Sequence, residues 1–180
     1  LRANLTRKAS RVRLFEVGRV FFADPAVPAG PAQVHGIAQP RRLGLLAFGP
    51  AIDEHWSAAP RASDFFDMKG DLEALAGEGL TVEAAEHPAL HPGRSARVLL
   101  DGRPIGWIGE MHPAHQQALE LPQAPVLAEI ELDPLLAAKV PVYREVSKFP
   151  PAIRDLAVVV SIDIPAARVL DEIASAIASV

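Results

Sequence analysis

The sequence predicts an α+β fold: a mainly antiparallel sheet with a few flanking helices. Three observations carry this reading. Short runs rich in β-formers, Val12–Phe22, Arg42–Phe48, Ser95–Met111 and Val126–Leu132, recur with turn residues between them. The Asp101-Gly102 pair divides the third run into a hairpin, a tight connection open only to antiparallel neighbours. A helical stretch with a good N-cap, Ser63–Leu75, separates the first pair of runs from the rest.

Taken in order, Leu1, Leu5 and Ala9 recur at fourfold spacing among basic residues, which predicts the last turns of a helix. Val12–Phe22 is a strand with Gly18 as its expected bulge. Asp24–Gln39, with prolines 25, 28 and 31, reads as a long loop. Arg42–Phe48 returns as a strand apolar enough to be buried on both faces. Phe65, Met68, Leu72 and Leu75 share one helical face, and Gly77 and Gly79 close that helix. The hairpin follows, then a short helix from His112-Pro113 to Leu119, then the strand Val126–Leu132. Composition shifts near Lys139-Val140-Pro141. Beyond it lie a predicted strand, Asp155–Ile162, and a helix from Pro165 with Val169, Leu170, Ile173, Ala174 and Ile177 on one face. One strand and one helix make no core of their own. The expectation is therefore a domain over residues 1–140 and the beginning of a second, truncated one over 141–180. The start without methionine, inside a predicted helix, fits a piece of a longer protein.

With 180 residues, 49% hydrophobic and 22% charged, the chain has globular composition, and at this size a domain buries roughly 70% of its unfolded surface. No apolar run approaches the roughly 20 residues of a membrane span, and the first ten residues lack the apolar core of a secretory signal. The absence of cysteine excludes disulfides, thiolate metal sites and a cysteine nucleophile, and leaves the cytoplasm as the default location. A net charge of -4 argues against unaided coating of nucleic acid, though Arg2, Arg7, Lys8, Arg11, Arg13 and Arg19 concentrate positive charge at one end.

The residues alone reveal no active site. His87, His91, His112 and His115, near Glu110, have the types for a metal site, but three of them precede prolines at turns, where capping is the simpler role. Ser95 or Ser57 with a histidine and Asp101 has the types of a hydrolytic triad without a G-x-S-x-G elbow. Asp64/Asp67 suit a helix N-terminus, and Glu83/Glu86 suit solvent. Lys69-Gly70-Asp71 lacks the glycines of a phosphate loop.

Five strings, in order and spread over nearly the whole chain, carry a resemblance: RLFEVGRVF within Val12–Phe22, DFFDMKGDLE (Asp64–Glu73), HPGRSA (His91–Ala96), GWIGEMHP (Gly106–Pro113) and KFPPAIRD (Lys148–Asp155). Together they resemble the later part of the beta subunit of bacterial phenylalanyl-tRNA synthetases. The resemblance implies that residues 1–140 are the carboxyl part of a domain with the class II synthetase core fold. It also implies that residues from about 141 begin a ferredoxin-like anticodon-binding domain.

In a catalytic class II core, the resemblance further implies, the strand matching Leu14–Phe22 ends in an arginine that holds the ATP α-phosphate. Phe22 stands there, and Val126–Lys139 shows no glycine-rich ATP-binding motif. The implied role is thus a non-catalytic scaffold that binds no cofactor itself, within an enzyme using ATP and Mg2+. Implied partners are the alpha subunit, in an α2β2 assembly, and tRNA(Phe), with Lys148, Arg154 and Arg168 as tRNA-facing candidates. The alternatives are an internal ion pair for Arg154-Asp155, a partner-binding module unrelated to translation that uses the edge of Asp155–Ile162, and a histidine-metal hydrolase. The same edge is expected to permit self-association.

Overall fold

The computed structural model describes residues 1–57, 59–137, 143, 148, 153 and 155–178. The chain divides into two compact units, residues 1–139 and 140–180.

The first unit opens with a short helix, α1 (Arg2–Thr6), ended where Lys8 takes a left-handed conformation with φ of 63°. Strand β1 (Val12–Arg19) follows, then β2 (Phe22–Ala23), β3 (Ile37–Ala38), β4 (Arg41–Phe48), helix α2 (Phe65–Ala76), β5 (Leu80–Ala84), β6 (Leu90–Leu100), β7 (Arg103–Met111), helix α3 (Pro113–Ala118), β8 (Val126–Glu131) and helix α4 (Leu132–Leu136). Six strands form one antiparallel sheet in the order β1-β4-β8-β7-β6-β5, so the fold is α+β with a mainly antiparallel sheet.

Helix α2 packs on this sheet and defines its covered face. Asp64 caps it: the carboxylate accepts the Phe66 and Asp67 N–H groups at 2.8 and 3.1 Å, while Asp67 accepts the Asp64 N–H at 2.9 Å. This reciprocal box satisfies donors that a helix start leaves without partners. Met68 and Leu72 then drop into a core with Val98, Ile108, Val126 and Ile130, all at most 2% exposed. Leu75 is 55% exposed, although it falls in the predicted apolar register, because α2 ends beside the edge of the sheet. Gly77 closes the helix with φ of 69°.

The β6–β7 hairpin turns at Asp101 (φ 51°) and Gly102 (φ 78°), the paired positive angles of a type I′ turn. Other expectations are corrected. Gly18 is not a bulge, since β1 pairs with β4 without interruption from Val12↔Phe48 to Arg19↔Arg41. The irregularities lie in the β6–β7 ladder, between Leu90 and Ser95 and between Val98 and Leu99. The long loop contains a two-stranded pairing, Phe22↔Ala38 and Ala23↔Ile37. Strand β4 is only partly buried on its second face: Leu43 and Ala47 are buried under α2, whereas on the other side Phe48 is buried but Arg42, Gly44 and Leu46 are half-buried.

In the second unit, α5 (Ala166–Ala178) forms where predicted. Residues 155–161 form no strand, since among the described residues no neighbour supplies the ladder that defines one. Leu156, Val158, Val159, Val160 and Ile162 are exposed.

Candidate functional site

The face of the sheet opposite α2 is open at its middle. Side chains alternate along strands, so the register fixes which residues meet there. One row crosses five ladders: Glu16, Gly44, Glu129, Trp107, Arg97 and Glu83. The row beside it brings together Leu14, Leu46 and Leu127. Between them lies a groove of about 520 Å3, walled at one side by His87 and Trp107, whose rings are 4.9 Å apart. The Arg97 guanidinium lies 5.1 Å from the Trp107 ring centroid, a cation–π contact.

Glu16 and Glu129 put two carboxylates on this face, which disfavours a bare anionic group there. Arg42 is engaged elsewhere, 3.6 Å from Glu131 and 5.9 Å from the centroid of the Phe22 ring. Phe22, in the position the resemblance gives to a phosphate-binding arginine, is an exposed apolar side chain.

The sequence-derived candidates are dispersed. His112 caps α3 by accepting the Ala114 N–H at 3.1 Å, and His87 accepts the Ala89 N–H at 3.2 Å. His112 and His115 meet edge to face, while Glu110 pairs with Arg94 at 2.8 Å. Among the described residues, no group of three or more histidines and carboxylates is positioned to hold a metal ion. Ser95 is buried and donates to the Ala85 carbonyl, and Ser57 lies against His55 at 2.8 Å on an exposed loop. These serines belong to separate regions, and Asp101 sits in the hairpin turn.

Of the basic residues near the start, Arg11 donates to the Pro50 and Ala51 carbonyls, Arg13 pairs with Asp71, and Arg19 donates to the Gln39 carbonyl, while Arg2, Arg7 and Lys8 are exposed. Arg61 grips Asp67 with two bonds of 2.6 Å; this hydrogen-bonded guanidinium lowers the Asp67 carboxyl to about 2 and raises Arg61 above its ordinary value. Lys148 and Arg168 are exposed, and Arg154 lies outside the described residues.

Strand β1 lies at the edge of the sheet, with Phe15 76% and Val17 52% exposed. Phe15 and Leu14 border a recess whose floor includes Leu45 and Met68 and whose far wall is Ala74 and Leu75. The signal for this surface is the strand's place at the sheet edge, which only the pairing reveals.

Comparison with known proteins gives a consistent result. The family model described as phenylalanyl tRNA synthetase beta chain CLM domain matches residues 1–132. A phenylalanine–tRNA ligase beta subunit of Burkholderia pseudomallei (strain 1710b) is 55% identical over 179 residues, 99% of this chain and 22% of that protein. The corresponding subunit of Ralstonia nicotianae is 54% identical over 172 residues, covering 95% of this chain and 21% of that protein. That of Bordetella parapertussis is 48% identical over 181 residues, covering 99% and 22%. The chain thus spans about a fifth of the length of these relatives. It belongs to the phenylalanyl-tRNA synthetase beta chain family.

Proposed function

We propose that this chain serves as a non-catalytic scaffold within a phenylalanine–tRNA ligase, docking the alpha subunit along the β1 edge and contributing to the hold on tRNA(Phe). The whole enzyme, an α2β2 assembly of the cytoplasm in this reading, uses ATP and Mg2+ to charge the tRNA, and the chemistry belongs to the alpha subunit. Residues 1–140 are the class II core-like scaffold, and residues 141–180 begin an anticodon-binding domain. The observation that carries the docking role is the edge strand: Leu14, Phe15 and Val17 expose apolar surface beside Leu75, a combination a solvated edge does not need.

The lack of an active site of its own is supported by Phe22 and by the carboxylates of the open face, which repel phosphate. Lys148, Arg154 and Arg168 are the tRNA-facing residues in this reading, and Lys148 and Arg168 are exposed. Neutralising any one of them should flatten the logarithmic salt dependence of tRNA binding by about 0.9. The exposed residues Leu156 to Ile162 favour self-association of the isolated chain.

Immobilised chain should capture purified alpha subunit, and Phe15→Asp should weaken capture at least about tenfold while leaving the circular dichroism unchanged. Undiminished capture by Phe15→Asp, or none by the folded wild-type chain, removes the docking role from β1.

A further inference from the structure

We propose that Trp56 is an anchor for the alpha subunit: the loop between β4 and α2 inserts this indole into an apolar pocket with a basic rim on that partner. The inference rests on the scaffold reading above and extends the docking surface from the β1 edge to a second point.

The loop is closed at its base. Pro50 and Ala62 form a bridge, the Ala51 N–H donates to the Arg61 carbonyl at 2.9 Å, and the Ser63 N–H donates to the Gly49 carbonyl at 2.8 Å. Arg11 adds its bonds to the Pro50 and Ala51 carbonyls, and Arg61 grips Asp67 in the first turn of α2. Gly49, with φ of 83°, permits the close approach, since a Cβ there would lie 2.0 Å from the Ser10 carbonyl oxygen. Such a base fixes where the loop projects and lowers the ordering cost of binding.

What the loop presents is apolar and acidic. Trp56 is 93% exposed and Ile52 47%, with the exposed Asp53 and Glu54 between them in the chain. The His55 ring stacks on the indole at 5.7 Å, and the Ser57 hydroxyl lies 2.8 Å from the Nδ1 of that imidazole, yet nearly the whole indole stays in water. The other tryptophan, Trp107, is half-buried against Arg97 and His87. A solvated indole adds nothing to the core, whereas tryptophan is among the residues that most often carry the energy of a protein interface.

Position and charge name the partner. Arg11, which holds the base, directly precedes β1, and Val12 lies about 10 Å along that strand from Phe15. A protein seated on Phe15 and Val17 therefore reaches the loop as well. Asp53 and Glu54 disfavour an RNA backbone and favour lysine or arginine on a protein surface. Arg11 lies 3.5 Å from Asp53, but that carboxylate remains largely exposed and open to a partner.

Chain grown with 5-fluorotryptophan carries two fluorine resonances, from Trp56 and Trp107, while unlabelled alpha subunit is silent. Trp56→Phe assigns them. Purified alpha subunit should shift the Trp56 resonance and remove its H2O/D2O isotope shift, the mark of a solvated indole. Trp56→Ala should weaken capture at least about tenfold with circular dichroism and thermal midpoint unchanged, and Glu54→Lys about threefold or more at low salt. An unmoved Trp56 resonance in the captured complex, or undiminished capture by Trp56→Ala, overturns the anchor and leaves docking at β1 standing. A Trp56 shift produced by concentrating the chain alone, or by tRNA(Phe), gives the loop to that occupant and overturns it too. No capture by the folded wild-type chain removes the docking reading and the anchor with it.

Discussion

On the covered face of the sheet, Val98, Ile108 and Ile130 are fully buried beneath Met68 and Leu72; on the other face, the same three strands present Arg97, Trp107 and Glu129 to the open side. Each member of the second set is the immediate chain neighbour of a member of the first. Apolar content along a strand therefore tells little about where that strand is wet. What decides is parity relative to α2, and parity is fixed by pairing.

The comparison can be broken most directly by truncating one side chain on each face. Leu72→Ala should cost about 2–5 kcal/mol, as a fully enclosed leucine leaves a cavity, whereas Leu127→Ala should cost about 1 kcal/mol because its site is already open. Urea unfolding with unchanged m measures both, and equal losses would mean that the second face is covered after all. A smaller effect separates the glycines. Gly106→Ala forces a Cβ to within 2.6 Å of the Ile130 Cα and should cost about 1–3 kcal/mol, while Gly18→Ala, with nothing within 4 Å, should be neutral or stabilise by up to about 1 kcal/mol.

The smallest effect sharpens how firmly the covering helix is held at its start. The Asp67 carboxyl is lowered to about 2 from its ordinary 3.8, chiefly by its hydrogen bonds to Arg61. A lowered carboxyl stabilises the fold fully above its unfolded value and loses that contribution as pH falls from about 4 towards 2. Because Arg61 is solvent-exposed, screening keeps this contribution small. Asp67→Asn should lower stability at pH 7 modestly and make the loss between pH 7 and 3 shallower, as measured by urea midpoints.

Much of the fold was legible where local chemistry dominates. Asp101-Gly102 specifies its own turn, Asp64 and Asp67 specify a helix start, and His112-Pro113 opens α3 in the same way. The reading failed where the outcome depends on remote partners. Val12–Phe22 looks the same in sequence whether central or at an edge, and Asp155–Ile162 has every propensity for a strand without a described neighbour to make it one. The groove was invisible for a similar reason: Glu16, Gly44 and Glu129 are distant in the chain and meet only through two ladders. The Arg61–Asp67 grip was likewise missed, although both residues flank a cap that the sequence announced.

The strand order has a kinetic meaning as well. β1 and β4 pair across the loop that holds β2 and β3, and β5 to β8 form a second run in which each strand from β6 on pairs with its predecessor. A single ladder joins these two local groups, from Arg42↔Glu131 to Ala47↔Val126. Each group can zip from its own turns, but that seam has to close a loop containing α2, α3 and three strands. Until it does, Leu43 and Ile130, which face each other across it, leave two apolar edges open to the wrong partner. The step that completes the sheet is also the step that ends its vulnerability to aggregation during synthesis.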